Sequence, residues 1–128
     1  MAPPRFVIRG ERIRSYADFW REIGEAVNGP NGYYGSNLYA LVDCLRGGFG
    51  TPRAPFEFLW SRSSESRDAL SYSETVRYLE EKLLRCHPLN RPAVQKELEA
   101  ASHLQGPTLF DILVRIIDKS EFATLVLD

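Results

Sequence analysis

Two tyrosines set between glycines, running straight into a short amphipathic helix, constrain this chain more than any other feature. The stretch runs from Gly32 through Tyr33, Tyr34 and Gly35 to Gly47 and Gly48. Ser36 and Asn37 are good N-cap residues, because a short side-chain oxygen accepts from the free N–H groups of a first helical turn. Leu38, Leu41, Cys44 and Leu45 recur at three and four residues and give the predicted helix one apolar face. Gly47 or Gly48 supplies the left-handed backbone that ends it. Tyr39, Asp43 and Arg46 then share the opposite face. Asp43 works against its own helix: a negative charge in the last turn meets the negative end of the helix dipole, at a cost of about 0.3–1 kcal/mol. A residue kept against local preference points to another use, such as pairing with a cation on a partner. The plain alternative is a solvated surface Asp.

The rest of the chain reads as strands separated by helical connections. Residues 5–9 form a predicted strand, turning at Gly10-Glu11. Ser15-x-x-Asp18 opens a helix carrying Phe19, Ile23, Ala26 and Val27, and 28–32 is a dense loop signal. Residues 56–60 are a strand expected to be mostly buried, 61–66 a surface loop or helix start, and 67–70 a short helical turn. Ser73 is expected to cap a helix with Val76, Leu79, Leu83 and Leu84 that ends before Pro88. Asn90 is expected to cap the next, holding Val94, Leu98 and Ala101, with Pro92 in its first turn. Thr108 starts a helix with Leu109, Ile112, Leu113, Ile116 and Ile117, and residues 122–127 form a final strand. This order predicts right-handed parallel crossovers in an α/β layer fold.

Size and composition narrow the function. A chain of 128 residues, 44% hydrophobic and 26% charged, suits one domain, 1–128, with a core that needs neither disulfides nor metal. No apolar run approaches a membrane span and the N-terminus lacks a signal-peptide layout, so a cytoplasmic protein is expected. Cys44 and Cys86 are expected reduced, and His87 and His103 lack clustered carboxylates, so neither a metal nor a cofactor is expected. A net charge of −1 argues against general nucleic-acid binding. Cys86-His87 is the one tempting catalytic pair, but helix neighbours point about 100° apart and do not face each other. A thiolate nucleophile also needs a positioned base and an oxyanion site, and neither is signalled.

The motif residues Tyr33-Tyr34-Gly35, Asn37-Leu38, Ala40-Leu41 and Asp43-Cys44-Leu45 together resemble the central motif of the barstar family, intracellular protein inhibitors of secreted ribonucleases. Phe6 to Ser15 resembles that family's first strand and turn, Phe56 to Trp60 its second strand, and Ala123 to Leu127 its last. The likeness covers residues 5–61 well and the final residues loosely, while the middle, 62–118, is longer than in the smallest members. It implies a small three-stranded parallel sheet packed with helices, and the chain's extra length reads as an inserted helix at 90–101. It also implies a non-enzymatic inhibitor whose loop and motif helix enter a nuclease active site, the helix acid replacing a substrate phosphate.

Tyr33, Gly35, Asn37 and Asp43 match family positions that line or support the surface. Tyr39, Arg46 and Phe49 complete the predicted face, with Arg46 and Phe49 at its rim. One tyrosine of the Tyr33-Tyr34 pair is expected inside, and it is Tyr34. The implied partner is a secreted bacterial ribonuclease or nuclease toxin, bound one-to-one. Departures are visible: the family commonly has an acid where Tyr39 stands and an aromatic where Val42 stands. Its last-helix acids are replaced by a mixture of Asp111, Asp118 and Glu121 with Arg115 and Lys119. Two other readings are a barstar-fold immunity or interaction protein with a different toxin or regulatory partner, and a small enzyme using Cys86 or His87.

Overall fold

The computed structural model describes residues 2–128. Its centre is a sheet of three strands, β1 (Arg5–Arg9), β2 (Phe56–Ser61) and β3 (Ala123–Leu127), in the order β1-β2-β3 with both pairings parallel. Ile8 lies beside Trp60, and Trp60 beside Leu127. Among the described residues six α-helices connect and cover the strands: α1 (Tyr16–Asn28), α2 (Leu38–Leu45), α3 (Ser63–Ala69), α4 (Tyr72–Arg85), α5 (Arg91–Ser102) and α6 (Leu109–Lys119). The expected parallel α/β architecture is therefore present.

One face of the sheet carries the core. Ile8, Phe56, Phe58 and Trp60 meet Phe19 and Ile23 of α1, Leu41 and Cys44 of α2, and Leu113 and Ile117 of α6, all essentially inaccessible. The other face stays partly open: Val7 and Val126 are exposed and Leu59 half-buried, in one row across the strands. β2 is mostly buried as expected, its residues alternating between buried and half-buried positions. Side chains on a strand point alternately to its two faces, so a sheet covered on one side shows this pattern even in the central strand.

Several buried polar groups beneath the sheet are joined to one another. Trp60 Nε1 donates to Ser66 Oγ at 2.9 Å, and Ser66 Oγ donates to the Gly10 carbonyl at 3.0 Å. Of the two readings of residues 61–66, a surface loop or a helix start, the structure shows the second: α3 begins at Ser63, with Ser63 and Ser66 both buried. Their hydroxyls fit there because each has a partner, Ser63 on the Asp128 carbonyl. Glu22, also buried, lies 3.3 Å from Arg9 and 3.7 Å from Arg21, tying α1 to β1.

α4 and α5 pack chiefly on each other around a separate small core of Leu79, Val94 and Ala101. The 90–101 segment is helical as expected, but its N-terminus differs. Asn90 is already helical in its backbone and makes no side-chain cap, because the turn Pro88–Asn90 runs straight into α5. α4 starts two residues early, with Ser71 and not Ser73 at the cap position, where its side chain makes no capping hydrogen bond. Leu84, placed by spacing with the apolar residues, is instead exposed. α6 has a full capping box: Asp111 N–H donates to Thr108 Oγ1, and Thr108 N–H to the Asp111 carboxylate.

Candidate functional site

The predicted face is built from two loops and the helix between them. Asn37 caps α2 as its sequence suggests, its Oδ1 accepting from Ala40 N–H at 2.8 Å. Leu41, Cys44 and Leu45 face inward, while Val42 and Asp43 face out. The helix stops at Arg46, and Gly47 donates its N–H to the Cys44 carbonyl at 3.0 Å.

The loops are fixed by side chains behind the face. Asn28, the last residue of α1, donates both hydrogens of its amide. One goes to the Tyr33 carbonyl at 2.6 Å and the other to the Phe49 carbonyl at 2.8 Å. A single residue thus ties the loop before α2 to the loop after it. Tyr34 does the same deeper in: its hydroxyl donates to the Cys44 carbonyl at 3.1 Å and lies 2.8 Å from Thr51 Oγ1. Tyr34 is fully buried, as expected, and burial raises its hydroxyl to about 12, partly offset by the Thr51 hydrogen bond. Burial, reinforced by the adjacent Asp43 carboxylate, also raises the Cys44 thiol and keeps it neutral. The loop lies so close to α1 that any side chain at Gly24 would run into the Gly32 carbonyl.

On this platform stand the outward groups. Tyr39 is 87% exposed and Tyr33 52%, with Phe49 close behind at 48%. Asp43 and Arg46 are both mostly exposed and 3.5 Å apart, an i,i+3 pair on α2. The cation nearest to Asp43 is therefore in the chain itself. Such an exposed pair contributes little to stability, about 0.3–0.5 kcal/mol, so its carboxylate is available to a stronger partner. Between Gly29 and Pro55 the charged residues are Asp43, Arg46 and Arg53 alone, so the face has no acidic excess.

Tyr33, Asn37, Tyr39, Asp43, Arg46 and Phe49 are thus all exposed, with Tyr39, Asp43 and Arg46 on the outer side of α2 and the loops of Tyr33 and Phe49 joined through Asn28. Gly35 is the exception: it is buried, with φ +98, and packs behind the face beside Leu41 and Trp20. Its part is to shape the loop, since a Cβ there would strain the backbone. Sequence reasoning missed Asn28 and Thr51. The first is hidden inside an Asn-Gly-Pro loop signal, and the second has no pattern to mark it.

Cys86 and His87 point to local tasks. Cys86 Sγ contacts the Leu83 carbonyl, and His87 Nδ1 accepts from Leu89 N–H at 3.1 Å. Among the described residues no group of three His, Cys, Asp or Glu is placed to hold a metal, and no helix is long and apolar enough to cross a membrane.

The family model for Barstar (barnase inhibitor) matches residues 4–86. That span includes β1, α1, both loops, α2, β2, α3 and α4; α5, α6 and β3 lie beyond it. No curated protein matches the chain.

Proposed function

This chain belongs to the barstar family, and from that premise we propose that it inhibits a bacterial ribonuclease by covering its active site in a one-to-one complex. One observation carries the reading. A helix presents an exposed carboxylate, Asp43, against its own dipole, and the flanking loops, which carry exposed aromatic side chains, are held by Asn28 and Tyr34. Nuclease sites hold Arg, Lys and His to bind phosphate, and a fixed carboxylate can pair with several of them at once. Asp43 stands in for that phosphate. Tyr33, Tyr39 and Phe49 supply large, stiff contact area around it, and Asn37 and Gly35 hold the loop and helix in register. Because the face is ordered before binding, little conformational entropy opposes association. Catalysis by this chain plays no part, and the complex forms in the cytoplasm.

A second reading is favoured by a specific feature. With Arg46 beside Asp43 and no acidic excess on the face, the surface lacks the strong negative field that speeds capture of a basic nuclease. A partner of another kind, a different toxin or a regulatory protein, fits that balance as well.

Calorimetric titration against a panel of bacterial ribonucleases separates the two. Nanomolar one-to-one binding that collapses in Asp43→Ala supports inhibition with an acidic anchor. Tight binding untouched by Asp43→Ala rejects the phosphate-mimic mode, and no binding to any member moves the partner outside the ribonucleases.

A further inference from the structure

Beside the proposed face lies a groove of about 300 Å³ between α2 and the end of α6. Val42, Leu45 and Ile116 give it an apolar floor, and Arg46, Lys119 and Glu121 stand around its mouth. The remaining lining group, Ser120, has its hydroxyl committed to the Ile117 carbonyl at 2.6 Å. Water in such a groove finds few partners, so filling it with an apolar group removes surface from water without stranding a polar atom. Its size is at the lowest end of small-molecule sites, enough for one large side chain.

Charge settles what kind. Arg46 and Lys119 are balanced by Asp43 and Glu121, so the groove and its surroundings do not select an anion or a cation. Position settles where the occupant comes from. Arg46 lines the groove and lies 3.5 Å from Asp43, so a partner seated on Asp43 meets the groove mouth as well.

We infer that the groove between α2 and α6 receives a hydrophobic side chain from the rim of the bound nuclease, beside the Asp43 contact. This rests on the reading of α2 as the inhibitory face. Asp43 then supplies the polar anchor and the groove an apolar one, the pairing of a central charge with a filled pocket that concentrates energy in an interface. With opposed charges in balance around the groove, its contribution resists salt.

The test measures affinity for the panel ribonuclease that binds, at low and high salt, for wild type, Asp43→Ala, Val42→Ser and Ile116→Ser, with thermal melts to confirm folding. Val42 is exposed, so its variant leaves the core intact. The expected result is a loss of about tenfold for Val42→Ser, from one to two buried methyl groups, carried by faster dissociation and equal at both salt concentrations. Wild-type affinity in Val42→Ser and Ile116→Ser, with loss only in Asp43→Ala, overturns the groove and leaves the inhibitor reading standing. Unchanged binding in Asp43→Ala rejects the phosphate-mimic mode and the groove's place beside it, and no ribonuclease bound at all overturns the inhibitor reading and the groove with it. A change of the free protein's mass in solution on Val42→Ser shows that a second copy fills the groove, which also overturns the proposal.

Discussion

The loop–helix face at residues 29–55 and the α4–α5 pair use opposite strategies. The helix pair follows local rules apart from the exposed Leu84 and the uncapped start at Asn90: apolar residues at helical spacing meet in a small core, Pro92 sits in a first turn, and charged residues face water. Folding accounts for nearly everything in it. The face breaks local rules repeatedly. It has a carboxylate at a helix C-terminal turn, a buried left-handed Gly35, three largely exposed aromatic rings and a tyrosine hydroxyl in the core. Departures of this kind concentrate where a surface serves something beyond the fold.

Four measurements sharpen or break that contrast. Asp43→Ala is expected to weaken ribonuclease binding by about 2–5 kcal/mol while leaving stability unchanged or slightly improved, since the charge opposes the helix dipole. Leu79→Ala should do the reverse, lowering unfolding free energy by about 2–5 kcal/mol in urea titration with affinity intact. If Leu79→Ala instead removes binding in a folded sample, the helix pair belongs to the interface and the contrast collapses.

Tyr34→Phe comes next, at about 1–3 kcal/mol of stability, because it strips a partner from Thr51 and from the Cys44 carbonyl. Its pH signature is distinct. The Tyr34 hydroxyl is raised from 10.0 to about 12, so the fold favours the neutral phenol. That stability is complete below about pH 10 and is lost as pH rises toward 12. Tyr16 and Tyr78 are raised by burial as well, so wild type loses stability in alkali more steeply than Tyr34→Phe, which lacks one of these groups. Parallel alkaline slopes in the two proteins defeat this account.

Asn28→Ala has the smallest expected effect, a several-fold loss of affinity from loosening two loops, with a melting temperature within a few degrees of wild type. Equal affinity in the variant means the loops are held by packing alone.

Much of the fold was legible because it depends on repetition. Alternating strands and helices, the motif helix and the Thr108 start all follow from spacing and caps, and the structure places them as read. The misreadings arise where a single tertiary partner overrides local pattern. Ser66 is buried in α3 because Trp60 and Gly10 need its hydroxyl, and no sequence window shows that. Leu84 fits an apolar repeat, yet Leu83 and Cys86 turn to the small core between α4 and α5 while Leu84 turns to water. On the face, the outward residues were readable from helix periodicity, whereas Asn28 was not: its two acceptors are backbone carbonyls, which leave no mark in a sequence.

Asn28 has a chemical consequence as well. It precedes Gly29, and an Asn-Gly pair is the dipeptide most prone to spontaneous deamidation. Here the Gly29 N–H is held by the Glu25 carbonyl at 3.0 Å, which restrains the nitrogen that must attack. When the helix end frays, the reaction yields a carboxylate that has no hydrogens to give and that repels the two carbonyls it once joined. The molecule thus carries a slow clock at the hinge of its face. An aged sample should lose its grip on a partner well before it loses its shape.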